Sequence, residues 1–395
     1  MTPSQTSTIS FGNALSRAGI LTLLLAARQS AAFSNPSFRT YGGGCHPKSA
    51  LSAEGGPQYE KQKGILKKAE CVGKGSYLLT IDYEQEEDDS NENENKNENG
   101  EALLRYEPGH VLALEIQRPA SQDEESSQVY QMTEKTKQDS DNNNGWMRGP
   151  YTVSFGYGTD KTTKDGLKVM VKEVGYKSHV FSTSQPGTPV LFGGKFKVPI
   201  AEGIRAAAQA QNNEDENENR GPTKKVILVS SGVGVGPCVG AVEELLESSP
   251  SSIDSIHLLP SYRTREEICM EPALQALQSS EPKPQFSWNP VITSEEGRLA
   301  SKGAESLQKH IRCEQGVSVA TNTHYHIIGN GQLVSEWKEG LAKAGVPASR
   351  VTVEAYFNHS AKPDPSAIDT IAEAILGLEH ETSAKAENAQ EAAVL

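Results

Sequence analysis

The sequence predicts two folded domains in series, an antiparallel all-β domain followed by an α/β domain built on a parallel sheet. From Gly64 to about Arg205, short runs rich in β-branched residues alternate with period two and are broken by Gly and Pro. From Lys224 onward, apolar strands alternate with amphipathic helical segments, which implies a parallel sheet covered by helices on both faces. The length of 395 residues exceeds one ordinary domain and suits two.

In the first domain the runs are SYLLTIDY, HVLALEI, PYTVSF, LKVMVKEV and TPVLFGG, which leave a sandwich and a barrel open as architectures. Polar insertions at about 84–101 and 119–145 fall between strands, where loops lengthen cheaply. A helix-like IAEGIRAAAQA precedes an acidic linker. In the second domain KKVILVSS is a buried strand, GVGVGP a glycine turn and CVGAVEELLES a helix. SIHLLPSY and REEICMEPALQAL form the next strand and helix, HYHIIGN and GQLVSEWKEGLAKAG the third pair, and RVTVEAYF the last strand. The expected division is 1–60 presequence and linker, 61–205 β-domain, 206–223 acidic linker, 224–360 α/β domain and 361–395 tail, the tail containing one helix-like stretch, PSAIDTIAEAILGLE.

The hydrophobic fraction of 36% is low, because stretches such as EEDDSNENENKNENGE cannot bury enough apolar surface to offset chain entropy. A net charge of −13 argues against nucleic-acid binding, which needs a basic face. The five cysteines (Cys45, Cys71, Cys238, Cys269, Cys313) show no C-x-x-C and no iron–sulfur spacing, so reduced thiols and no metal are expected. His310, His324, His326 and His359 are read as structural.

At the N-terminus, Arg17 precedes the short apolar run Ile20–Ala27, and SAAF at 30–33 offers a small-residue cleavage site. The run is too short to span a bilayer. The following segment has Ser, Gly and basic residues and no acid before Glu54, as in a transit peptide. Together these resemble the bipartite plastid presequence of algae with secondary plastids. An ordinary secretory signal is the alternative.

The motifs point to nucleotide chemistry. In SSGVGVGP, Gly232 and Gly234 let backbone N–H groups approach a pyrophosphate at a helix start, and Pro237 opens that helix. The spacing departs from the G-x-G-x-x-G fingerprint. Arg263 and Arg265 in SYRTREE carry the forked donors that suit a phosphate. MRGPYTVS at 147–154, VGYKSHVF at 174–181 and GTPVLFGGKF at 187–196 complete the set.

In this order the motifs resemble the ferredoxin–NADP reductase superfamily. That resemblance implies a flavin-binding β-barrel before a nicotinamide-nucleotide domain, with FAD and NADP (or NAD) as cofactors. Gly232, Gly234 and Pro237 take the nucleotide-loop positions, Arg263 and Arg265 the 2′-phosphate, and Gly329 in IGNGQL the third nucleotide motif, which lacks the family's C-G-P. Tyr151 and Thr152 take the flavin-ring positions, with Ser154 closing the motif. Arg148 stands one residue too far from the tyrosine, with Gly149 inserted, so a bulge at the glycine is needed to bring it to the pyrophosphate. Gly175 and Ser178 take the helix N-terminus that holds the flavin phosphates. The implied activity is electron transfer between NAD(P)H and a separate carrier or small-molecule acceptor, with no catalytic side chain required for the hydride step. A non-enzymatic member binding nucleotide or a partner is the alternative, and a reductase serving a separate oxygenase is a third reading.

Overall fold

A computed structural model of the protein describes residues 59–83, 106–117, 145–156, 166–209, 223–248, 253–279, 284–311, 322–357 and 361–378. Residues 1–58, 84–105, 118–144 and 210–222, which hold nearly all of the presequence, the two insertions and the acidic linker, lie outside the described residues, as do Cys45, Cys313 and His359.

Six antiparallel strands close a barrel in the order β1-β2-β5-β4-β3-β6: β1 (Lys61–Gly73), β2 (Ser76–Tyr83), β3 (Val111–Gln117), β4 (Trp146–Phe155), β5 (Leu167–Lys172) and β6 (Pro189–Gly193). Alternation drives Leu79, Ile81, Leu112, Leu114, Val153 and Val169 inward. Strand β1 is not among the apolar runs of the sequence, because its inward positions include Gln62 and Gly64. A Cβ on Gly64 would stand 2.5 Å from the Asp82 carbonyl, so this close approach of β1 to β2 requires glycine. Helix α1 (Tyr176–Thr183) adds Tyr176, Val180 and Phe181 to the same core.

After α2 (Ile200–Gln209) the chain enters a parallel sheet of order β10-β8-β7-β11-β12, with β9 beside β10 on the same edge of β8. The strands are β7 (Lys225–Ser231), β8 (Ser255–Tyr262), β9 (Gln285–Trp288), β10 (Val291–Ile292), β11 (Thr323–Asn330) and β12 (Val351–Phe357). Pro290, which has no N–H for the ladder, separates β9 from β10. The helices are α3 (Val235–Ser248), α4 (Glu271–Ser279), α5 (Thr293–Glu296), α6 (Ala304–Ile311), α7 (Gly331–Lys343) and α8, residues 365–378. One face of the sheet packs on α2, α3 and α4. The other packs on α6, α7 and α8.

Two elements differ from expectation. REEICMEPALQAL is not one helix. A 3-10 turn at Arg265–Glu267 is followed by a non-helical step that ends with Met270 at positive φ, and α4 starts only at Glu271, where Pro272 is tolerated in a first turn. Helix α8, assigned from sequence to the tail, buries Ile371, Ala374, Ile375 and Leu378 against the core that holds Trp337 and Leu341. Burying each Leu or Ile contributes about 1.5–3 kcal/mol, so this helix is part of the α/β domain.

Candidate functional site

The chain leaves β7 in one direction, to β8 and its neighbours, and later returns to β11 on the other side of β7. Such a reversal opens a crevice at the carboxyl ends of the strands. Here β7 ends in the 3-10 turn Gly232–Gly234, and Gly232 adopts φ +54 with no atom of the described residues beyond its chain neighbours within 4 Å of where a Cβ would stand. Gly234 lies against β11, where a Cβ would be 3.2 Å from the Ile328 carbonyl. Pro237 is the third residue of α3 rather than its first, still within the turn whose N–H groups have no intrahelical acceptor. Gly329, at φ +151, passes so close to Ser231 that a Cβ would meet its Oγ. The next residue, Asn330, donates its N–H to Ser231 Oγ at 3.3 Å and caps α7 by accepting from Leu333 N–H at 2.9 Å. Gly232, Gly234 and Gly329 therefore meet at one edge.

Arg263 and Arg265 follow β8 at the same edge but differ in state. Arg265 makes a two-pronged contact with Glu295, Nε to Oε1 at 2.9 Å and Nη2 to Oε2 at 2.8 Å. The Arg263 side chain is exposed and forms no ion pair among the described residues.

On the barrel, Met147 and Val153 point into the core, so strand alternation sends Gly149 and Tyr151 the same way and Arg148, Pro150, Thr152 and Ser154 the other. The β3–β4 register runs without a break from Trp146 to Thr152, so no bulge occurs at Gly149. Arg148 and Tyr151 consequently face opposite sides of β4. The Arg148 Nη2 donates to Tyr59 Oη at 2.7 Å, with its Nε 3.5 Å from Glu115. The Tyr151 ring leans on Phe181, with centroids 4.9 Å apart.

Thr152 and Ser154 face the α/β domain. Gly236 and Gly240 of α3 let that helix lie directly on Ser154, which is fully buried and whose Oγ has no partner among the described residues. The Thr152 hydroxyl donates to Glu354 Oε1 on β12. Burial pushes the Glu354 carboxyl up to about 7, against the opposing effects of the Thr152 hydrogen bond and Lys197. Tyr356, two residues on, packs against the same core. Glu354 is not among the residues that the sequence motifs single out.

At α1, Ser178 Oγ accepts from the Val174 and Gly175 N–H groups at 2.9 and 3.0 Å and donates to the Gly175 carbonyl. Position 175 is open, with no described residue beyond its chain neighbours within 4 Å of a Cβ. Beside it, Glu173 is held by His179 and Ser182.

Residues 228–338 match the family described as oxidoreductase NAD-binding domain. That stretch lies within the α/β half. The match covers the crevice edge from β7 through α7, including both glycine turns and both arginines. No curated protein matches the sequence. Among solved structures, the chain is similar to a flavohemoglobin from Malassezia yamatoensis at 13% identity and TM-score 0.47, covering 75% of this chain and 60% of that one. It is similar to a cytochrome P450 reductase of Amycolatopsis at 14% identity and TM-score 0.47, covering 78% and 73%. A ferredoxin-NADP+ reductase from Plasmodium falciparum shows 15% identity and TM-score 0.46, covering 75% and 96%. The chain thus spans 60% of the flavohemoglobin's length.

Proposed function

We propose that this protein is a flavin-dependent NAD(P)H oxidoreductase that passes electrons to a separate carrier or a small-molecule acceptor. The observation that carries this is the position of Thr152 and Glu354. They join a barrel strand to the last strand of the NAD-binding sheet, in the junction that a nicotinamide and a flavin ring would share.

The nucleotide end suits a pyrophosphate, since Gly232 leaves open space before a helix N-terminus. The residues present also fit a flavin, which would bring the hydride and electron chemistry. Its phosphates suit the α1 start at the open Gly175, and Thr152, which faces the α/β domain, would meet its ring, whereas Tyr151 lies on the core side of β4 against Phe181 and does not. Arg148, held by Tyr59 and Glu115, takes no part in this arrangement. Ser178 would contribute only after releasing its own helix cap. The chain's own chemical contribution lies at Glu354, whose carboxyl titrates near neutrality and can hold or release a proton at Oε1 beside Thr152. The two α3 glycines seal Ser154 and exclude water from that flank.

Purified full-length protein should be yellow, release a flavin on denaturation and oxidise NADH or NADPH with an artificial acceptor. A colourless protein that takes up no added FAD yet still binds NAD(P)H would favour the second reading, a non-enzymatic nucleotide-binding member. The engaged Arg148 and Ser178 are the observations on that side. We further propose delivery to a plastid by residues 1–60. A fluorescent fusion of that segment appearing in the secretory pathway instead would overturn this.

A further inference from the structure

The β1–β2 hairpin of the barrel lies along the loop that follows β8. Met270 N–H donates to the Val72 carbonyl at 3.3 Å, and Lys74 N–H donates to the Glu266 carbonyl at 2.8 Å, so the two backbones run antiparallel. The Lys74 ammonium pairs with the Glu266 carboxylate, and Lys172 lies 3.6 Å from Glu267. Between these contacts sits Gly73, and a thiol flanks it on either side. Cys71 Sγ is 3.4 Å from the Gly73 carbonyl, while a Cβ on Gly73 would stand 3.1 Å from Cys269 Sγ.

The two cysteines differ in access. Cys71 is exposed and Cys269 is buried. The ladder between β1 and β2 is irregular between Cys71 and Gly73, which turns Val72 toward the core of the α/β domain. After Cys269 comes Met270 at φ +58, the one non-glycine residue with positive φ among those described. A side chain holds that conformation only under constraint from its surroundings.

We propose that Cys71 and Cys269 form a reversible disulfide that fastens the barrel hairpin to the loop carrying Arg263 and Arg265. Each cysteine precedes one member of the bonded pair Val72–Met270, and the pair Lys74–Glu266, two residues out of register with it, sets Cys71 opposite Cys269, so the two registers bracket a Cα separation of roughly 5–8 Å. The near end of that range lies within the usual Cα span of a disulfide, about 4.4–6.8 Å. Closing the bond holds the loop against the hairpin, and the constrained step at Met270 is the place to absorb the movement. The oxidant is a low-molecular-weight disulfide. The exposed Cys71 thiolate attacks one of its sulfurs, forming a mixed disulfide and releasing one thiolate. The Cys269 thiolate, reached from inside the junction, then attacks Cys71 Sγ and displaces the second thiolate. Both cysteines lose a proton, their sulfurs are oxidised by two electrons together, and the small disulfide leaves as two thiols. Burial pushes the Cys269 thiol up while Lys172 opposes it, which fits a slow resolving thiol rather than a first attacker.

The bond itself is independent of the proposed function. Its effect on nucleotide use rests on that reading. Full-length protein is incubated with oxidised glutathione and mapped as non-reduced peptides by mass spectrometry. A Cys71–Cys269 cross-linked peptide is expected, unchanged in Cys238→Ser and absent in Cys71→Ser. Cys269→Ser and Cys269→Ala should stop at a glutathione adduct on Cys71. A wild-type protein that stops at that adduct, or links Cys71 to Cys45, Cys238 or Cys313, overturns the proposal. In a second arm the KM for NADPH is compared before and after oxidation. A severalfold change reversed by dithiol reductant supports coupling to the loop. A cross-linked protein with unchanged KM overturns the coupling, and one that binds no nicotinamide nucleotide overturns the functional reading instead.

Discussion

The Thr152 hydroxyl donates to the Glu354 carboxyl across 202 residues of sequence, joining the barrel to the sheet edge at a buried point. A buried acid that loses its donor carries an uncompensated desolvation cost of about 1–3 kcal/mol. Thr152→Val keeps the shape and removes the hydroxyl. It should lower the unfolding free energy by that amount and push the Glu354 carboxyl further up. Chemical denaturation combined with carboxyl titration by NMR measures both. An unchanged Glu354 titration would show that the hydrogen bond does not influence the acid.

The Glu354 carboxyl also sets a pH dependence. Its folded value of about 7 lies above the ordinary 4.5, so folding favours the protonated form. That stability is fully present below about pH 4.5 and is lost as pH rises through about 7. Glu243, also raised to about 7 by burial, acts in the same sense. Glu354→Gln should therefore reduce the fall in stability between pH 4.5 and 7, by up to about 1.4 kcal/mol per pH unit, and leave the Glu243 share. A series of urea midpoints across that range checks it.

The buried histidines give the opposite sign. His324 Nε2 and His326 Nδ1 both meet Thr352 Oγ1, at 3.0 and 2.9 Å. Burial holds their rings down to about 4 and about 3, against an ordinary 6.5, with Arg350 adding to the effect at His324 and His324 and Lys197 at His326. Their contribution is present above about pH 6.5 and lost as pH falls toward 4. His326→Gln should make the protein less sensitive to acid over that window. Unfolding midpoints at pH 7 and pH 5 should lie closer together than in the wild type.

Where local pattern decides structure, the sequence was enough: the alternation of β2 to β6, the glycine turn after β7 and the helices α3 and α7 are all visible in it. Features decided by distant partners were not. Glu354 looks like a solvated strand residue until Thr152 covers it. Helix α8 looks like a tail until Gly340, where a Cβ would meet Ile371 at 2.7 Å, gives it a surface to lie on. Arg148 shows the opposite case. The spacing warned that it was out of phase with Tyr151, and the unbroken ladder leaves it so.

The arginines should not be equivalent. Under the proposed function, a forked contact to a 2′-phosphate contributes about 1.5–3 kcal/mol. Arg263 is available for it, while Arg265 is already engaged by Glu295. Arg263→Ala should cut kcat/KM for NADPH by roughly ten- to a hundredfold, at ~1.4 kcal/mol per tenfold, and spare NADH. Arg265→Ala should cost less. Equal losses for both nucleotides would place the arginines at the shared pyrophosphate or in the structure alone.

Gly232 separates a backbone requirement from a ligand requirement. Its φ of +54 is left-handed, and among the described residues none beyond its chain neighbours comes within 4 Å of where a Cβ would stand. Alanine there meets no clash but adopts an unfavourable backbone, costing roughly 1–2 kcal/mol. Asparagine tolerates the same conformation better, because its side chain can hydrogen-bond locally. Gly232→Ala should therefore lower the unfolding midpoint more than Gly232→Asn. Both add a side chain where a pyrophosphate would approach, so both should weaken nucleotide binding, the larger asparagine at least as much. Calorimetry of binding beside thermal unfolding of the same two variants reads the two effects separately. If Asn restores stability and leaves nucleotide affinity at the wild-type value, the turn is a structural glycine and the pyrophosphate lies elsewhere.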